Sequence, residues 1–197
     1  MKDLELAVAF AGWIALMTVL VTRPKAGGPP AERKRGSLIG IAIQGIGFAI
    51  LWAHPPGADA HADLPPAARV ALLIVAAVLL AASTWFVFAA INRLGRQWSF
   101  VAAVRPDHAL VTTGPYGRVR HPIYAGMFGM LLGTGFLLTS APAFVLALLF
   151  FLAGTSVRIR IEERLMRSRF GGAYDDYAVR VPALVPRLGA IRSPQAG

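Results

Sequence analysis

The sequence predicts an all-α, polytopic integral membrane protein of about five transmembrane helices, and three observations predict it. Hydrophobic residues make up 56% of the 197, charged residues only 15%, and the mean hydropathy is +0.58. The apolar residues are gathered into uncharged runs of 17 residues or more, close to the ~20 that a helix needs to cross a bilayer. Basic residues concentrate in segments between those runs, as expected of topology signals.

Residues 6–22 form the first uncharged run, 17 long, followed at once by Arg23, Pro24 and Lys25. The leading MKDLE mixes signs, unlike the basic start of a secretory signal, so the run reads as an uncleaved first span with its N-terminus outside. Residues 23–35 carry five basic residues and one acid around Gly27, Gly28, Pro29 and Pro30, which predicts a cytoplasmic loop. Residues 36–53 are 18 uncharged positions, with Gly36 and Gly40 spaced for close helix packing. The GIG at 45–47 lacks a third glycine, a preceding strand and an acidic partner, so helix packing accounts for it better than a dinucleotide site.

Residues 54–66 hold Asp59 and Asp63 but no Lys or Arg, as an outer loop should. His54 and His61 lie there and read as solvated loop histidines, not a metal pair. Residues 70–91 give a third span of 22, and 92–121, with five Arg and one Asp, return to the cytoplasm. Residues 122–157 are uncharged for 36 positions, which as one helix would measure ~54 Å against a hydrocarbon core of ~30 Å. They must fold back, and Thr139-Ser140-Ala141-Pro142 is the natural break. The remaining 158–197 hold eight Arg and four acids, which puts the C-terminus inside.

A net charge of +10 would in a soluble domain point to nucleic acid; here it is explained by basic loops beside anionic lipid. Cysteine is absent, which excludes disulfides, thiolate metal sites and a cysteine nucleophile.

The topology places the polar loop at 108–121 and the segment 158–177 on one face. Pro122 suits a first helical turn, so Arg120 and His121 stand at a helix mouth whose amides favour an anion. Arg158 and Glu162 are spaced i, i+4, with Leu165 and Arg169 continuing the stripe; by spacing alone an ordinary Arg–Glu pair at the membrane edge is the simpler reading. Glu162 and Glu163 in an otherwise basic stretch weigh towards a ligand.

The run LVTTGPYGRVRHPIYAG at 110–126, followed after the hairpin by RIRIEERLMRSRFGGAYDDYAVRVPALVP at 158–186, resembles the isoprenylcysteine carboxyl methyltransferase family, within the integral membrane methyltransferases that include phospholipid N-methyltransferases. The similarity covers roughly residues 93–187, where an RHPxYxG element and an EE element followed by FGxxYxxY match in order and spacing. The first half matches only in being helical spans.

The resemblance implies one membrane-embedded domain over 1–197, with three transmembrane helices in 1–91 and a cofactor-binding catalytic half in 92–187. It implies S-adenosylmethionine at the cytosolic membrane face, converted to S-adenosylhomocysteine. Carried over by position, cofactor contacts come from His108, Ala109, Leu110, Val111, Tyr116, His121, Pro122, Ile123, Tyr124 and Glu162. Arg158 matches the arginine associated with the acceptor carboxylate, and Arg158, Glu162 and His121 are the residues assigned to catalysis. A glutamine contact of the eukaryotic enzymes falls on Val101 without a gap; Gln97 is the nearby alternative.

The function expected is methylation of a lipophilic small molecule or lipidated substrate, most like carboxyl O-methylation of an isoprenylcysteine-type acceptor. N-methylation of a phospholipid or amine is the alternative. An NADPH-dependent, sterol-reductase-like membrane enzyme is a further rival, and a non-catalytic scaffold would leave Glu162, Glu163 and the RHP loop without a purpose. High Ala, Arg, Gly and Pro usage points to a GC-rich bacterial genome and so to an inner-membrane location.

Overall fold

The computed structural model describes residues 2–22, 32–33, 36–53, 61, 63–104 and 108–186. Most of the predicted basic loop at 23–35, His54, and the tail beyond 186 lie outside them.

Among the described residues six α-helices form the architecture: α1 Lys2–Thr22, α2 Ser37–Trp52, α3 Pro66–Leu94, α4 Pro122–Leu138, α5 Ala141–Phe170 and α6 Gly172–Arg180. Proline opens three of them, at Pro66, Pro122 and Pro142, where its missing N–H leaves nothing unpaired. The two longest are stopped by glycines in the left-handed region, Gly95 at φ 56° after α3 and Gly171 at φ 53° after α5. The hairpin break falls where the sequence places it, α4 ending at Leu138 and α5 starting at Ala141.

This is an all-helical membrane protein. Three helices, α1, α3 and α5, are long and apolar enough to cross a membrane; α2 and α4 are apolar but only 16 and 17 residues long. Large apolar side chains such as Ile14, Val78 and Leu149 stay exposed on the helices, as lipid-facing surfaces do. The expectation of an entirely helical chain needs one amendment. Glu32–Arg33 (β1) pairs antiparallel with Ala103–Val104 (β2), a two-residue ladder in which the backbones of two loops satisfy each other.

That ladder joins the α1–α2 connection to the α3–α4 connection, so both lie at one end of the molecule. At the other end, Glu5 of α1 pairs with Arg69 of α3 at 3.4 Å, and Thr139 Oγ1 donates to the Leu51 carbonyl at 3.2 Å. His61, expected to be solvated, instead donates from Nε2 to the Phe136 carbonyl at 2.7 Å, meeting an acceptor that the end of α4 leaves unpaired.

Packing follows two pairs, α2 with α5 and α3 with α4, and α1 lies across α3 and α4. Without a hydrophobic drive between helices in lipid, close approach by small residues does the work. A Cβ on Gly40 would stand 2.4 Å from Arg158 Cγ and 2.8 Å from the Gly154 carbonyl, so α2 and α5 touch backbone to backbone there. Of the four glycines noticed in α2 and at its start, Gly40 and Gly47 make such contacts, whereas Gly36 meets only Ile161 at ordinary distance and Gly45 meets nothing within 4 Å.

Candidate functional site

The segment between α3 and α4 is built from a short 3-10 turn at Gly95–Gln97, the β2 strand, and a second 3-10 turn at Gly114–Gly117. Arg93 anchors it by donating from Nε to Thr113 Oγ1 at 2.8 Å. Gln97 Oε1 accepts from the Ala109 amide at 2.6 Å, fixing the stretch that carries His108 to Val111. Val101 and Gln97 both line the same cavity, and Gln97 is the one that holds the loop.

His121 occupies the N-cap position of α4 but makes no side-chain capping bond. Its imidazole lies between two carboxylates, Nδ1 at 3.5 Å from Glu162 Oε2 and Nε2 at 3.3 Å from Glu163 Oε1. Burial pushes the imidazole towards neutrality, but the hydrogen bonds and charge of Glu162 and Glu163 outweigh this and raise its pKa above the usual 6.5. Tyr124, one turn into α4, donates its hydroxyl to Glu162 Oε1 and carries the Arg158 guanidinium 4.8 Å above its ring. His121 and Tyr124 are thus bound into the polar cluster; neither is a plain helix cap or interfacial anchor.

Adjacent residues on a helix point about 100° apart, and Glu162 and Glu163 part accordingly. Glu162 shares the face of Arg158, whose Nη2 stands 3.9 Å from Glu162 Oε1. Glu163 turns to Arg120, which donates from Nη2 at 2.7 Å and from Nε at 3.1 Å, and to Arg167 at 3.3 Å. The stripe expected from Arg158 runs on to buried Leu165 but not to Arg169, which is exposed.

The C-terminal stretch clasps the start of α4. Arg120 N donates to the Pro182 carbonyl at 2.8 Å and His121 N to the Ala183 carbonyl at 3.0 Å, so two of the amides at the α4 mouth are already taken. Arg120 Nη1 also reaches the Ala178 carbonyl at 2.7 Å. Tyr177 of α6 donates to the Tyr116 carbonyl at 2.7 Å, tying α6 to the second 3-10 turn. Burial pushes the Tyr177 phenol up to about 12, and the buried phenols of Tyr116 and Tyr174 higher still, so all three stay neutral.

These groups surround one cavity of about 400 Å³, within the range of small-molecule sites. All eleven residues assigned from sequence border it: His108 to Val111 and Tyr116 from the loop, His121 to Tyr124 from the start of α4, and Arg158 and Glu162 from α5. Away from the polar mouth the walls become apolar, with Leu16 and Met17 of α1, Ile41 and Phe48 of α2, and Met127 of α4.

The phospholipid methyltransferase family model matches residues 71–173, slightly over half of the chain, which takes in α4, α5 and most of α3 but not α1 or α2. The chain belongs to this family. The match begins within α3, earlier than the RHP and EE motifs alone indicate. Among curated relatives of this phospholipid methyltransferase family member, the nickel-cobalt-cadmium resistance protein NccN of Alcaligenes xylosoxydans xylosoxydans is 42% identical over 102 residues, 51% of this chain and 47% of that protein. The protein-S-isoprenylcysteine O-methyltransferase of Schizosaccharomyces pombe is 41% identical over 104 residues, 50% and 43% respectively. Protein-S-isoprenylcysteine O-methyltransferase B of Arabidopsis thaliana is 38% identical over 102 residues, 49% and 50%. The chain therefore spans about half the length of the curated relatives it matches.

Three participants escape the sequence reading. Glu163 and Arg120 stand within motifs but were not assigned roles, and a doubled Glu opposite an Arg-His pair is the signal that could have found them. Gln44 of α2 lies outside any motif; its only sequence signal is a single amide side chain in a 16-residue apolar helix.

Proposed function

We propose that the chain is an S-adenosylmethionine-dependent methyltransferase that methylates a lipophilic acceptor, most like the carboxyl O-methylation of an isoprenylcysteine-type substrate. The observation that carries the reading is the convergence of His121, Tyr124, Arg158 and Glu162, drawn from two helices, on a cavity that passes from a polar mouth into apolar walls. The names of the isoprenylcysteine methyltransferase relatives support the acceptor class.

The cavity's donor set fits the cofactor. Glu162, a carboxylate at the mouth, suits hydroxyl or amino groups; the first-turn amides of α4 at Ile123 and Tyr124 suit a carboxylate; the backbone of Ala109 to Val111, with His108 and Tyr116, suits a flat heterocycle. When bound, S-adenosylmethionine supplies a methyl carbon on a sulfonium sulfur, and its C–S bond breaks as the acceptor's O–C bond forms, leaving a neutral thioether. A carboxylate acceptor, with an ordinary pKa of about 4, is already ionised, so the chain needs no general base. Arg158 holds the acceptor's anion, Pro182 and Ala183 cover the mouth, and the apolar walls keep water from the reacting atoms.

Five spans complete the arrangement, with α2 and α4 crossing as well as the three longer helices, the start of α1 outside and the site at the cytoplasmic face of a bacterial inner membrane. The acceptor enters sideways from the bilayer. Isothermal titration of the detergent-solubilised protein tests the cofactor: S-adenosylmethionine should bind and Glu162→Ala should weaken it. Tight NADPH binding with no response to S-adenosylmethionine would overturn the assignment in favour of a reductase.

A further inference from the structure

From the contacts of Gln44 we infer that this residue is the positioning residue that lets Arg158 select an anionic acceptor. The inference rests on the methyltransferase reading and adds to it the group that fixes acceptor charge.

Gln44 sits midway along α2, is 2% exposed and borders the cavity beside Arg158. A polar side chain buried in an apolar membrane helix is costly unless its hydrogen-bonding groups are met. Here they are. Its Nε2 donates to Thr155 Oγ1 at 2.7 Å, and its Oε1 accepts from Arg158 Nη1 at 3.2 Å. Arg158 fixes the sense of the amide, because the opposite rotamer would aim an NH2 at a donor-only guanidinium, whereas the Thr155 hydroxyl can accept or donate. The crossing of α2 and α5 at Gly40 and Gly154 brings the two helices near enough for this reach, since a Cβ on Gly154 would stand 2.7 Å from the Gln44 backbone nitrogen.

The rest of Arg158 is held just as firmly. Nη2 donates to the Phe100 carbonyl at 2.8 Å, and the guanidinium lies over the Tyr124 ring at 4.8 Å. All its close partners are thus neutral. The nearest carboxylate oxygen, on Glu162, is 3.9 Å away and takes the Tyr124 hydroxyl. Arg158 Nε is buried and has no hydrogen-bond partner among the described residues. A buried arginine fixed by two carbonyl oxygens is oriented by neutral groups, and with Glu162 at 3.9 Å and engaged by Tyr124 its charge is only partly offset and stays available to a ligand. A carboxylate at position 44, of the same shape as the amide, would hold the same nitrogen but would cancel that charge.

The test is Gln44→Glu, assayed for S-adenosylmethionine binding by isothermal titration and for methyl transfer to S-farnesylated N-acetylcysteine, a lipid carboxylate, and to farnesylamine. The variant should bind the cofactor as the wild type does and lose about ten- to a hundredfold in transfer to the carboxylate, the loss expected for one charged contact. Transfer to the amine should be kept or raised. That change of preference is not produced by loosened packing. Unaltered transfer to the carboxylate overturns the role of Gln44 alone. If Gln44→Glu fails to fold or to bind cofactor, Gln44→Met decides: it should keep cofactor affinity and raise the KM for the carboxylate at least tenfold, and an unchanged KM overturns the inference. A wild-type protein that does not bind S-adenosylmethionine overturns the methyltransferase reading, and this inference with it.

Discussion

Glu162 and Glu163 are neighbours in sequence and should fail in different ways when removed. Glu163 Oε1 receives two nitrogens of Arg120, at 2.7 and 3.1 Å, and faces His121 Nε2 at 3.3 Å, while the Arg120 and Glu163 side chains are 13% and 12% exposed. Glu163→Ala strands a mostly buried guanidinium beside a buried imidazole, and breaking such a pair costs about 3–5 kcal/mol. Arg120 keeps the Ala178 and Val181 carbonyls, so the lower end, about 3 kcal/mol, is expected. For a chain of this size that lowers the unfolding temperature by roughly 6–12 °C. Glu162 is more open, at 25%, and its removal should cost little stability but weaken S-adenosylmethionine binding by about 1.5–3 kcal/mol. Tryptophan fluorescence during thermal unfolding in detergent, with titration of both variants below their transitions, measures the two effects. Adding Arg120→Ala to Glu163→Ala should recover part of the loss. A Glu163→Ala protein that unfolds within 2 °C of wild type yet binds cofactor tenfold more weakly would show that the roles are reversed.

The raised pKa of His121 means that its protonated form stabilises the fold fully below about 6.5, the unfolded value, and that this is lost as pH rises through the folded value. The difference in unfolding temperature between wild type and His121→Gln should therefore shrink with rising pH above 6.5; a constant difference would exclude the linkage. Gly40→Ala should cost about 1–3 kcal/mol in thermal unfolding, because its Cβ would meet Arg158 Cγ at 2.4 Å, whereas Gly45→Ala, with open space at its Cβ, should be neutral or stabilising by about 0.5–1 kcal/mol. For the five-span topology, single cysteines at Asp63 and Val179, in a chain with none of its own, should differ in labelling by an impermeant reagent on intact cells. Equal labelling would put the 54–66 loop and α6 on one side of the membrane and overturn the five-span topology.

The helical layout and the site's members were legible because two kinds of signal are local. Uncharged runs mark where helices lie, and Pro122 and the Thr139-Ser140-Ala141-Pro142 break mark where α4 begins and turns into α5, whereas the charge pattern does not show the stops at Gly95 and Gly171. The residues His108 to Val111, His121 to Tyr124, Arg158 and Glu162 border one cavity because the hairpin at 139–140 returns α5 alongside α4. What did not show was pairing between loops distant in sequence. The Glu32–Arg33 ladder with Ala103–Val104 and the clasp of Pro182 and Ala183 on Arg120 and His121 are backbone contacts, and no side-chain pattern announces them. Spacing also misjudged Arg169: the i, i+4 rule puts it on the stripe of Leu165, but its side chain is exposed.

The N-terminal helices carry no family motif, yet they complete the site physically. A guanidinium as buried as that of Arg158 cannot be held by α5 alone, because residues on its own face supply only Glu162, at 3.9 Å. Its short contacts come from elsewhere: the Phe100 carbonyl from the loop after α3, and Gln44 from α2. The α2–α5 crossing is therefore more than scaffolding. Glycine at 40 and 154 removes the side chains that would hold the helices apart, and the resulting approach lets a neutral amide reach a charge that a motif residue carries. A family motif can thus fix which residues form the mouth of the cavity, while a helix outside the motif helps to hold its arginine. On this reasoning, variation in acceptor among chains sharing the RHP and EE elements belongs to positions such as 44, where one atom exchanged between an amide and a carboxylate changes the charge presented to the ligand.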